Sequence, residues 1–349
     1  MLHNRLPGIV LIGVLATLAL ELGKIPRLQV NGISALTLAI ILGIVVGNTL
    51  YARIAPASAN GVAFCKQTLL RLGIILYGLR LTFQDVANVG VAGLVIDAIV
   101  LSSTFGLSWW AGTRFFGLDR GTAMLIGAGS SICGAAAVMA AEPVVRGKSE
   151  QVTVAVSTVV VFGTLAIFLY PFLYHLDARQ HFFGATPTQY GIFAGSTIHE
   201  VAQVVAAGRA IGDAAANTAV ITKMVRVMML APFLILLSTY LSRSRNADKT
   251  RSIGSEPAPR QIVIPWFALG FVALAALNSF APLPPVLLRY ATDIDTFVLA
   301  MAMAALGITS QASAIRTAGI RPLGLGALLF TWLILGGFLI NVLVTALLA

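Results

Sequence analysis

Ionisable side chains inside apolar segments are the residues of this chain with the clearest chemical potential. His199 and Glu200 are adjacent, and Gln203 follows about one helical turn later. Lys223 and Arg226 lie three residues apart, on one face of a helix. A charged group at bilayer depth is costly, so such residues are functional candidates by default. Two cations beside a carboxylate and an imidazole could bind an anion and exchange a proton, because free histidine titrates near neutral pH.

Two other interpretations of the cationic pair stay open at this point. Lys223 and Arg226 could neutralise Glu200 in a static ion pair, or their charged heads could reach the membrane interface along apolar stems. Further ionisable residues lie within or near apolar segments and receive no assigned role: Arg71, Arg80, Asp97 and Glu142.

Two glycine-serine stretches of the chain resemble each other. Residues 128–138 and 194–204 match at a constant offset of 66, with six of eleven positions identical. Gly, Ser and Thr in succession weaken a helix, and non-helical backbone survives in a membrane only inside protein or along a wet cavity. Transporters use such interrupted helices to bind anions at N–H groups and cations at carbonyl groups. The alternative is that the small residues only permit tight helix packing.

The site prediction combines these stretches with the ionisable residues. His199 and Glu200 are the predicted ion-coupling residues. The predicted substrate-binding residues are Gly129, Ser130, Ser131, Gly134, Gly195, Ser196, Thr197, Gln203, Lys223 and Arg226.

Composition makes the lipid bilayer the solvent for most of the chain. Apolar residues make up 58% of the 349 residues and charged residues 10%, whereas soluble domains carry about 25% charged residues. A span needs about 20 apolar residues. The sequence therefore predicts an all-α, polytopic membrane bundle of about 10–11 transmembrane helices, with two repeated halves and broken helices. The candidate spans are 6–22, 33–50, 63–81, 91–112, 121–143, 152–174, 188–208, 218–241, 262–280, 292–311 and 322–348.

Basic residues between the spans predict the orientation. The most polar connection, 242–260, is placed in the cytoplasm because Lys and Arg favour that side. With eleven crossings, twelve basic residues then lie inside and six outside. The N-terminus is predicted inside and the C-terminus outside. The apolar run after Arg5 is similar to a signal peptide, but we interpret it as a retained first helix.

We predict one membrane domain over 1–349, with a first half at about 33–174, a second at about 188–348 and a cytoplasmic linker at 242–260. The repeat type stays open. A single predicted helix, 152–174, separates the two glycine-serine stretches, so they would cross in the same direction; a five-plus-five repeat would instead pair 121–143 with 292–311. Gly43 and Gly47 form a GxxxG pattern that lets two helices approach closely.

Several classes of function lack their sequence signature. There is no Gly-x-x-x-x-Gly-Lys-Ser/Thr phosphate loop, no nucleophile–base pair and no metal-ligand spacing, and Cys65 and Cys133 read as two buried small residues. The net charge of +10 lies mostly in loops, as expected for topology signals and lipid headgroup contacts rather than nucleic-acid binding. We therefore predict no enzymatic activity, no cofactor and no metal, with membrane lipids as partners.

Four blocks of the chain resemble the YeiH family, bacterial inner-membrane proteins that carry a sulfate-exporter label. The resemblance covers nearly the whole chain and its blocks are specific. They are 71–83 (RLGIILYGLRLTF), 126–138 (IGAGSSICGAAAV), 195–205 (GSTIHEVAQVV) and 299–307 (LAMAMAALG). The family is also similar to cation/proton antiporters and bile-acid-type symporters.

The resemblance implies inverted repeats with crossing broken helices, alternating access by an elevator-like or rocking motion, and a homodimer. The combined prediction is a secondary active transporter in the bacterial inner membrane. Its substrate would be a small anion such as sulfate, sulfite or an organosulfonate, coupled to protons or sodium. The alternatives are a passive anion channel or pore and, less favoured, a membrane-embedded enzyme.

Overall fold

The computed structural model describes residues 5–25, 28, 34–180, 186–248, 266–281, 283–310, 316 and 318–348. Each of the eleven predicted segments coincides with helical structure in this part of the chain. The helices are α1 Leu6–Leu22, α2 Ala35–Thr49, α3 Tyr51–Phe64, α4 Leu70–Tyr77, α5 Phe83–Arg114, α6 Arg120–Ser131, α7 Ala135–Val145, α8 Ser149–Gln180, α9 Pro187–Thr197, α10 Val201–Ile211, α11 Asp213–Met228, α12 Leu230–Asp248, α13 Trp266–Phe280, α14 Pro285–Thr309 and α15 Ile320–Leu348.

The described part of the chain is an all-α bundle, as predicted. Six of its helical stretches are long and apolar enough to cross a membrane. A π-helical turn, Cys65–Leu69, joins α3 to α4, and a 3₁₀ turn, Gly78–Arg80, follows α4. Helix α12 continues through Asp248 into the predicted linker 242–260, and the remaining residues of that linker lie outside the described part.

The segment predicted at 121–143 turns back on itself instead of crossing the bundle as one helix. Gly129 of α6 packs against Val138 of α7, and Leu125 packs against Gly147, beyond the end of α7. The chain enters and leaves at the same end of the bundle. Helices of 12 and 11 residues are each about 17 Å long, roughly half of a 30 Å hydrocarbon core. Helices α6 and α7 therefore form a re-entrant hairpin, called the first hairpin below.

The segment predicted at 188–208 forms a second hairpin, from α9 and α10. Gly191, near the start of α9, packs on Ala215 of α11, while Gly208, near the end of α10, packs on the adjacent Ala216. Both ends of this hairpin therefore lie beside the start of α11. Because α8 traverses the bundle between the two hairpins, they open toward opposite ends.

An inverted repeat of 66 residues explains this arrangement. Helix α5, which is kinked at Gly90, and helix α8 both span 32 residues, and α8 starts 66 positions after α5. Helices α7 and α10 both have 11 residues and are also 66 positions apart. Each unit is one long helix followed by a hairpin, and the second unit runs in the opposite direction. The two glycine-serine stretches are inverted although one long helix separates them, because each stretch is a re-entrant hairpin and not a crossing. The larger halves, 33–174 and 188–348, stay a prediction.

The hairpins also change the predicted orientation of three basic residues. Arg146 and Lys148 move to the cytoplasmic side and Arg179 moves to the opposite side. The balance becomes thirteen basic residues inside against five outside, which strengthens the positive-inside bias. On this predicted orientation the first hairpin opens to the cytoplasm and the second to the periplasm.

The helices pack as two groups. Helices α1–α4, α13 and α14 contact mainly one another, and α5–α12 with α15 form the second group around the hairpins. The GxxxG pattern belongs to the first group, where Gly43 and Gly47 let α2 approach Gly307 and Ile308 of α14. Contacts between the groups are sparse and involve mainly α10 with α2 and α14, and α13 with α5 and α11. Cys65 and Cys133 are both buried and free.

Candidate functional site

The tips of the two hairpins meet in the second helix group, at the side chain of Lys223. Residues 132–134 interrupt the first hairpin and residues 198–200 interrupt the second. The Lys223 ammonium donates to the carbonyl of Ile132 and to the carbonyl of Ile198, each at 2.6 Å. One buried cation on α11 therefore joins both interruptions, which confirms that the two glycine-serine stretches contain non-helical backbone and lie together.

Arg226 makes a second bridge, one helical turn along α11. Its Nε donates to the Ser131 carbonyl at 2.6 Å, its Nη1 to the Ser196 carbonyl at 2.5 Å and its Nη2 to the Ser130 carbonyl at 3.0 Å. The side chain is fully buried. Its planar guanidinium can serve carbonyls on two different hairpins at once, which a point-charge ammonium does less well.

The position of these cations follows from the helix dipoles. Helices α6 and α9 both end at the tips, so their partially negative C-terminal ends face each other there. Lys223 and Arg226 neutralise both ends and satisfy carbonyls that have no partner within their helices. The hydrogen-bond partners of both cations are backbone carbonyls. Neither the static ion pair with Glu200 nor the interfacial position predicts these partners.

Glu200 lies at the tips on the side of the helix N-terminal ends, where α7 and α10 begin. It precedes α10, and its carboxylate accepts a hydrogen bond from the backbone N–H of Ala135, the first residue of α7, at 3.3 Å. Its own backbone N–H donates to the Gln203 side chain at 2.9 Å. A negative charge is favourable at the N-termini of both α7 and α10. Glu200 is partly exposed, whereas Lys223 and Arg226 are fully buried.

Asp97 is a candidate to which sequence reasoning gave no role. It lies on α5, is fully buried, and interacts electrostatically with Arg226 and Lys223. Neither carboxylate oxygen has a hydrogen-bond partner in the described residues. Its sequence signal was a lone acidic residue in an apolar run, which alone marks a functional hypothesis. With Glu200, it places two carboxyl groups and two basic side chains around the tips.

The predicted hydroxyl residues lie at the tips, and two of them are hydrogen-bonded across the bundle. Thr197 accepts from the Tyr170 hydroxyl at 2.8 Å, and the Ser196 hydroxyl accepts from the Asn341 amide at 3.2 Å. The Ser131 hydroxyl donates to the Ala128 carbonyl at 3.4 Å. The serine and threonine side chains thus help to fix the tips. Their contact with a substrate stays a prediction.

The other predicted residues divide between packing and buried polar positions. Gly129 and Gly195 allow close approach, the first to Val138 and Val159 and the second to α11 at Ala219 and Thr222. Gln203 is buried against Gly163 of α8. His199 is buried near the Phe330 ring, and its Nδ1 has no hydrogen-bond partner in the described residues. Substrate binding by Gln203 and coupling by His199 stay predictions.

Gly134 supplies a direct test of the tip geometry. Its φ is +67°, a region that favours glycine, and a Cβ there would overlap the Glu200 side chain. Gly90 has a similar φ of +59°, yet a Cβ there would meet nothing within 4 Å. We expect Gly134→Ala and Gly90→Ala each to destabilise the protein by roughly 1–2 kcal/mol through backbone strain. Only Gly134→Ala should also impair function, because only it displaces Glu200.

Thermal unfolding of both purified variants, and uptake into proteoliposomes of the small anions predicted from the sequence, check this expectation. Equal functional loss in the two variants would mean that backbone strain, rather than the position of Glu200, explains the effect.

The comparisons with known proteins agree on one family. The family model described as "Conserved hypothetical protein 698" matches residues 7–326. A UPF0324 membrane protein of Pseudomonas aeruginosa is 63% identical over 335 residues, covering 96% of this chain and 93% of that protein. The UPF0324 inner membrane protein YeiH of Escherichia coli K12 is 53% identical over 351 residues, covering 100% and 97%. No solved structure matches the chain.

Proposed function

The chain belongs to the UPF0324 family of multi-pass inner-membrane proteins, and we propose that it is a secondary active transporter of a small anion. The observation that carries the proposal is the meeting of two inverted hairpin tips around Lys223, Arg226 and Glu200. Interrupted helices meeting inside a membrane protein are a recurrent way to build a substrate and ion site. The proposal assigns no chemical conversion and no cofactor to the chain.

The charge arrangement supports an anion as the substrate. The carbonyls at the ends of α6 and α9 are engaged by Lys223 and Arg226, so they offer little to a cation. The N–H groups at the starts of α7 and α10 face Glu200, which is partly exposed. An anion that displaces this carboxylate would find helix N-termini and two nearby cations. Sulfate, sulfite and organosulfonates fit that chemistry, and the family resemblance favours them.

The same arrangement supports coupling to protons. The Glu200 carboxylate and an anion would compete for the same N–H groups at the starts of α7 and α10. Protonation of Glu200 removes its charge and leaves the helix N-termini to the anion, so the proton and the anion would bind together. Sodium remains the alternative coupling ion; it would bind at carboxylates, with Glu200 and Asp97 as the candidates. Asn341 lies nearby, bonded to Ser196 of the second tip.

The two helix groups support alternating access. The hairpins, Lys223 and Arg226 all belong to the second group, and its contacts with the first group are sparse. The second group could therefore carry the intact site past the first group, as in an elevator. A homodimer would hold the first group fixed, and the family resemblance is the argument for it.

Uptake into proteoliposomes tests the proposed function. Purified protein is reconstituted and offered labelled sulfate, sulfite and methanesulfonate under an imposed proton gradient, an imposed sodium gradient, or neither. We expect saturable accumulation of at least one anion, driven by one of the two gradients, with protein-free liposomes as the control. Uptake that equilibrates without accumulation and is accompanied by conductance would identify a passive anion pore. The absence of uptake for every anion would reject the proposal.

A further inference from the structure

A cavity of about 420 Å³ lies between the two helix groups, at the end from which the second hairpin enters. Its polar lining is Arg80, Arg209, Asp213, Asn217, Arg289 and Thr292. We propose that this cavity binds a small oxyanion, at a site separate from the hairpin tips. The role as a periplasmic antechamber rests on the proposed function, whereas the binding chemistry does not. The volume is within the range of about 300–1,000 Å³ for small-molecule sites.

Arg80 presents a fixed, partly used guanidinium to the cavity. Its Nε donates to Asp295 at 2.7 Å, and its Nη2 donates to the Thr292 carbonyl and the Thr296 hydroxyl, both at 2.7 Å. These bonds hold the planar group in one orientation. Its Nη1 donates to none of the described residues, so its N–H groups are available to a ligand. A preorganised arginine of this kind suits a planar or tetrahedral oxyanion.

Arg209 reaches the cavity from the other helix group. It pairs with Asp213 on the next helix and lies over the Tyr77 ring at 5.5 Å, while Arg80 lies over the same ring at 5.3 Å. The Tyr77 hydroxyl donates to Asn217 at 2.9 Å. Asp213 is 80% exposed in its side chain, so its pairing with Arg209 is weakened by solvent. An incoming anion can therefore replace it.

The remaining charge makes the cavity electropositive. Arg289 is exposed, and its guanidinium has neither a hydrogen bond nor an ion pair with the described residues. The groups that line the cavity or pair with its lining include three arginines and two carboxylates, Asp213 and Asp295. One positive charge is therefore in excess. The starts of α11 and α14 also lie at the cavity, at Asp213 and Pro285. Their N-terminal dipoles add to the attraction for an anion.

The cavity walls come from both helix groups, so the bound oxyanion would bridge them. Arg80 and Arg289 lie in the first group, and Arg209 with Asn217 lies in the second. A ligand held between Arg80 or Arg289 and Arg209 favours the arrangement of the groups seen here. Release of the ligand would accompany any movement of one group past the other. The oxyanion could be a solute from the periplasm or the phosphate of a lipid headgroup, which share this chemistry.

Equilibrium binding to the full-length protein tests the site. Radiolabelled sulfate is titrated onto purified protein in neutral detergent, and a parallel arm measures retention of phosphatidylglycerol. The test variants are Arg209→Gln and Arg289→Gln. The control is Arg114→Gln, an exposed arginine at the opposite end of the bundle. We expect each test variant to weaken the sulfate binding that belongs to the cavity about tenfold, as for loss of one charge-assisted hydrogen bond. Any sulfate bound at the hairpin tips should be retained, and the control should bind as the wild type does.

The outcomes separate this proposal from the proposed function. Loss of phosphatidylglycerol, rather than sulfate, in the two test variants assigns the same site to lipid phosphate. Binding that depends on Arg209 and Arg289 in a protein that transports no anion supports the cavity and rejects the transporter. Equal sulfate and lipid binding in the wild type and both test variants, or no binding of either ligand to the wild type, overturns the cavity proposal and leaves the transport proposal untouched.

Discussion

Replacing Arg226 by alanine is expected to cause the largest loss of stability of any single substitution at the hairpin tips. The change removes three hydrogen bonds from a buried cation to the carbonyls of Ser130, Ser131 and Ser196. Hydrogen bonds to charged groups contribute about 1.5–3 kcal/mol each, and the abandoned carbonyls bear a desolvation cost. We expect a destabilisation of at least about 3 kcal/mol, comparable to breaking a buried ion pair.

Function should fall with stability, because Arg226 holds the two tips together. If about 3 kcal/mol of tip organisation is lost from the rate-limiting step, the transport rate should fall roughly a hundredfold or more. Arg226→Lys is the matched variant, because it keeps the charge but lacks the planar guanidinium that reaches both hairpins. Its stability should lie between those of the wild type and Arg226→Ala. Arg114→Ala controls for loss of an exposed arginine. Thermal unfolding in detergent measures the stability of each variant, and uptake into proteoliposomes measures its transport rate.

The pattern across these variants also separates two roles for Arg226. If it serves chiefly as a contact for the transported anion, Arg226→Ala should retain wild-type thermal stability and lose substrate affinity. If it clamps the tips, stability falls first. The contacts with backbone carbonyls favour the clamp, and two N–H groups of the guanidinium are left for an anion. Unchanged stability together with unchanged transport would remove Arg226 from the site altogether.

Every segment predicted from hydropathy is helical in the described residues, although α3 (Tyr51–Phe64) lies almost wholly between two of those segments. Hydropathy could not distinguish a crossing from a re-entrant hairpin. Residues 121–143 are about as rich in apolar residues as the predicted span 91–112, because two half-length apolar helices have nearly the composition of one full helix. Residues 188–208 are less apolar and contain His199, Glu200 and Gln203. The information lay in the interruptions. Gly134, which adopts a positive φ, and the constant offset of 66 mark the two turns, but only packing of Leu125 on Gly147 shows that the chain returns.

The sequence predicted which residues lie at the hairpin tips better than it predicted which groups those residues contact. The glycine-serine stretches, Lys223, Arg226 and Glu200 are all at the tips, because helix-weakening composition and buried charge both point to an interrupted helix. The partners of the two cations were not foreseen. Sequence reasoning paired Lys223 and Arg226 with a carboxylate or an anion, yet their partners are backbone carbonyls, which any sequence carries. The arginine-lined cavity was missed because Arg80, Arg209 and Arg289 are brought together only by tertiary packing.

Glu200→Gln is expected to abolish accumulation against a gradient while leaving exchange of the anion intact. The glutamine amide keeps the size of the side chain and an oxygen that can accept from the Ala135 N–H, so the tips should hold their shape. The variant carries no group that can release a proton at this position. Coupling should therefore be lost without loss of the pathway.

The size of the effect can be stated for proton coupling. One unit of imposed pH difference is worth about 1.4 kcal/mol per proton, so electroneutral cotransport of one proton with a monovalent anion sustains about tenfold accumulation. For Glu200→Gln the ratio of internal to external anion should fall to about one. Counterflow, in which unlabelled internal anion drives entry of label, should proceed near the wild-type rate. Glu150→Gln, an exposed carboxylate in the first turn of α8, is the matched control and should accumulate normally.

Measuring counterflow and gradient-driven uptake on the same preparations separates coupling from structure. If Glu200 only holds the tips through hydrogen bonds, the glutamine variant loses stability and both activities together, and its dependence on the driving ion is unchanged. If Glu200 binds sodium rather than a proton, accumulation driven by sodium fails while the proton gradient is without effect in the wild type as well. Full accumulation by Glu200→Gln, with the same ion dependence as the wild type, would show that coupling lies elsewhere. Asp97 would then be the first alternative, because it is a fully buried carboxyl group that interacts electrostatically with Lys223 and Arg226.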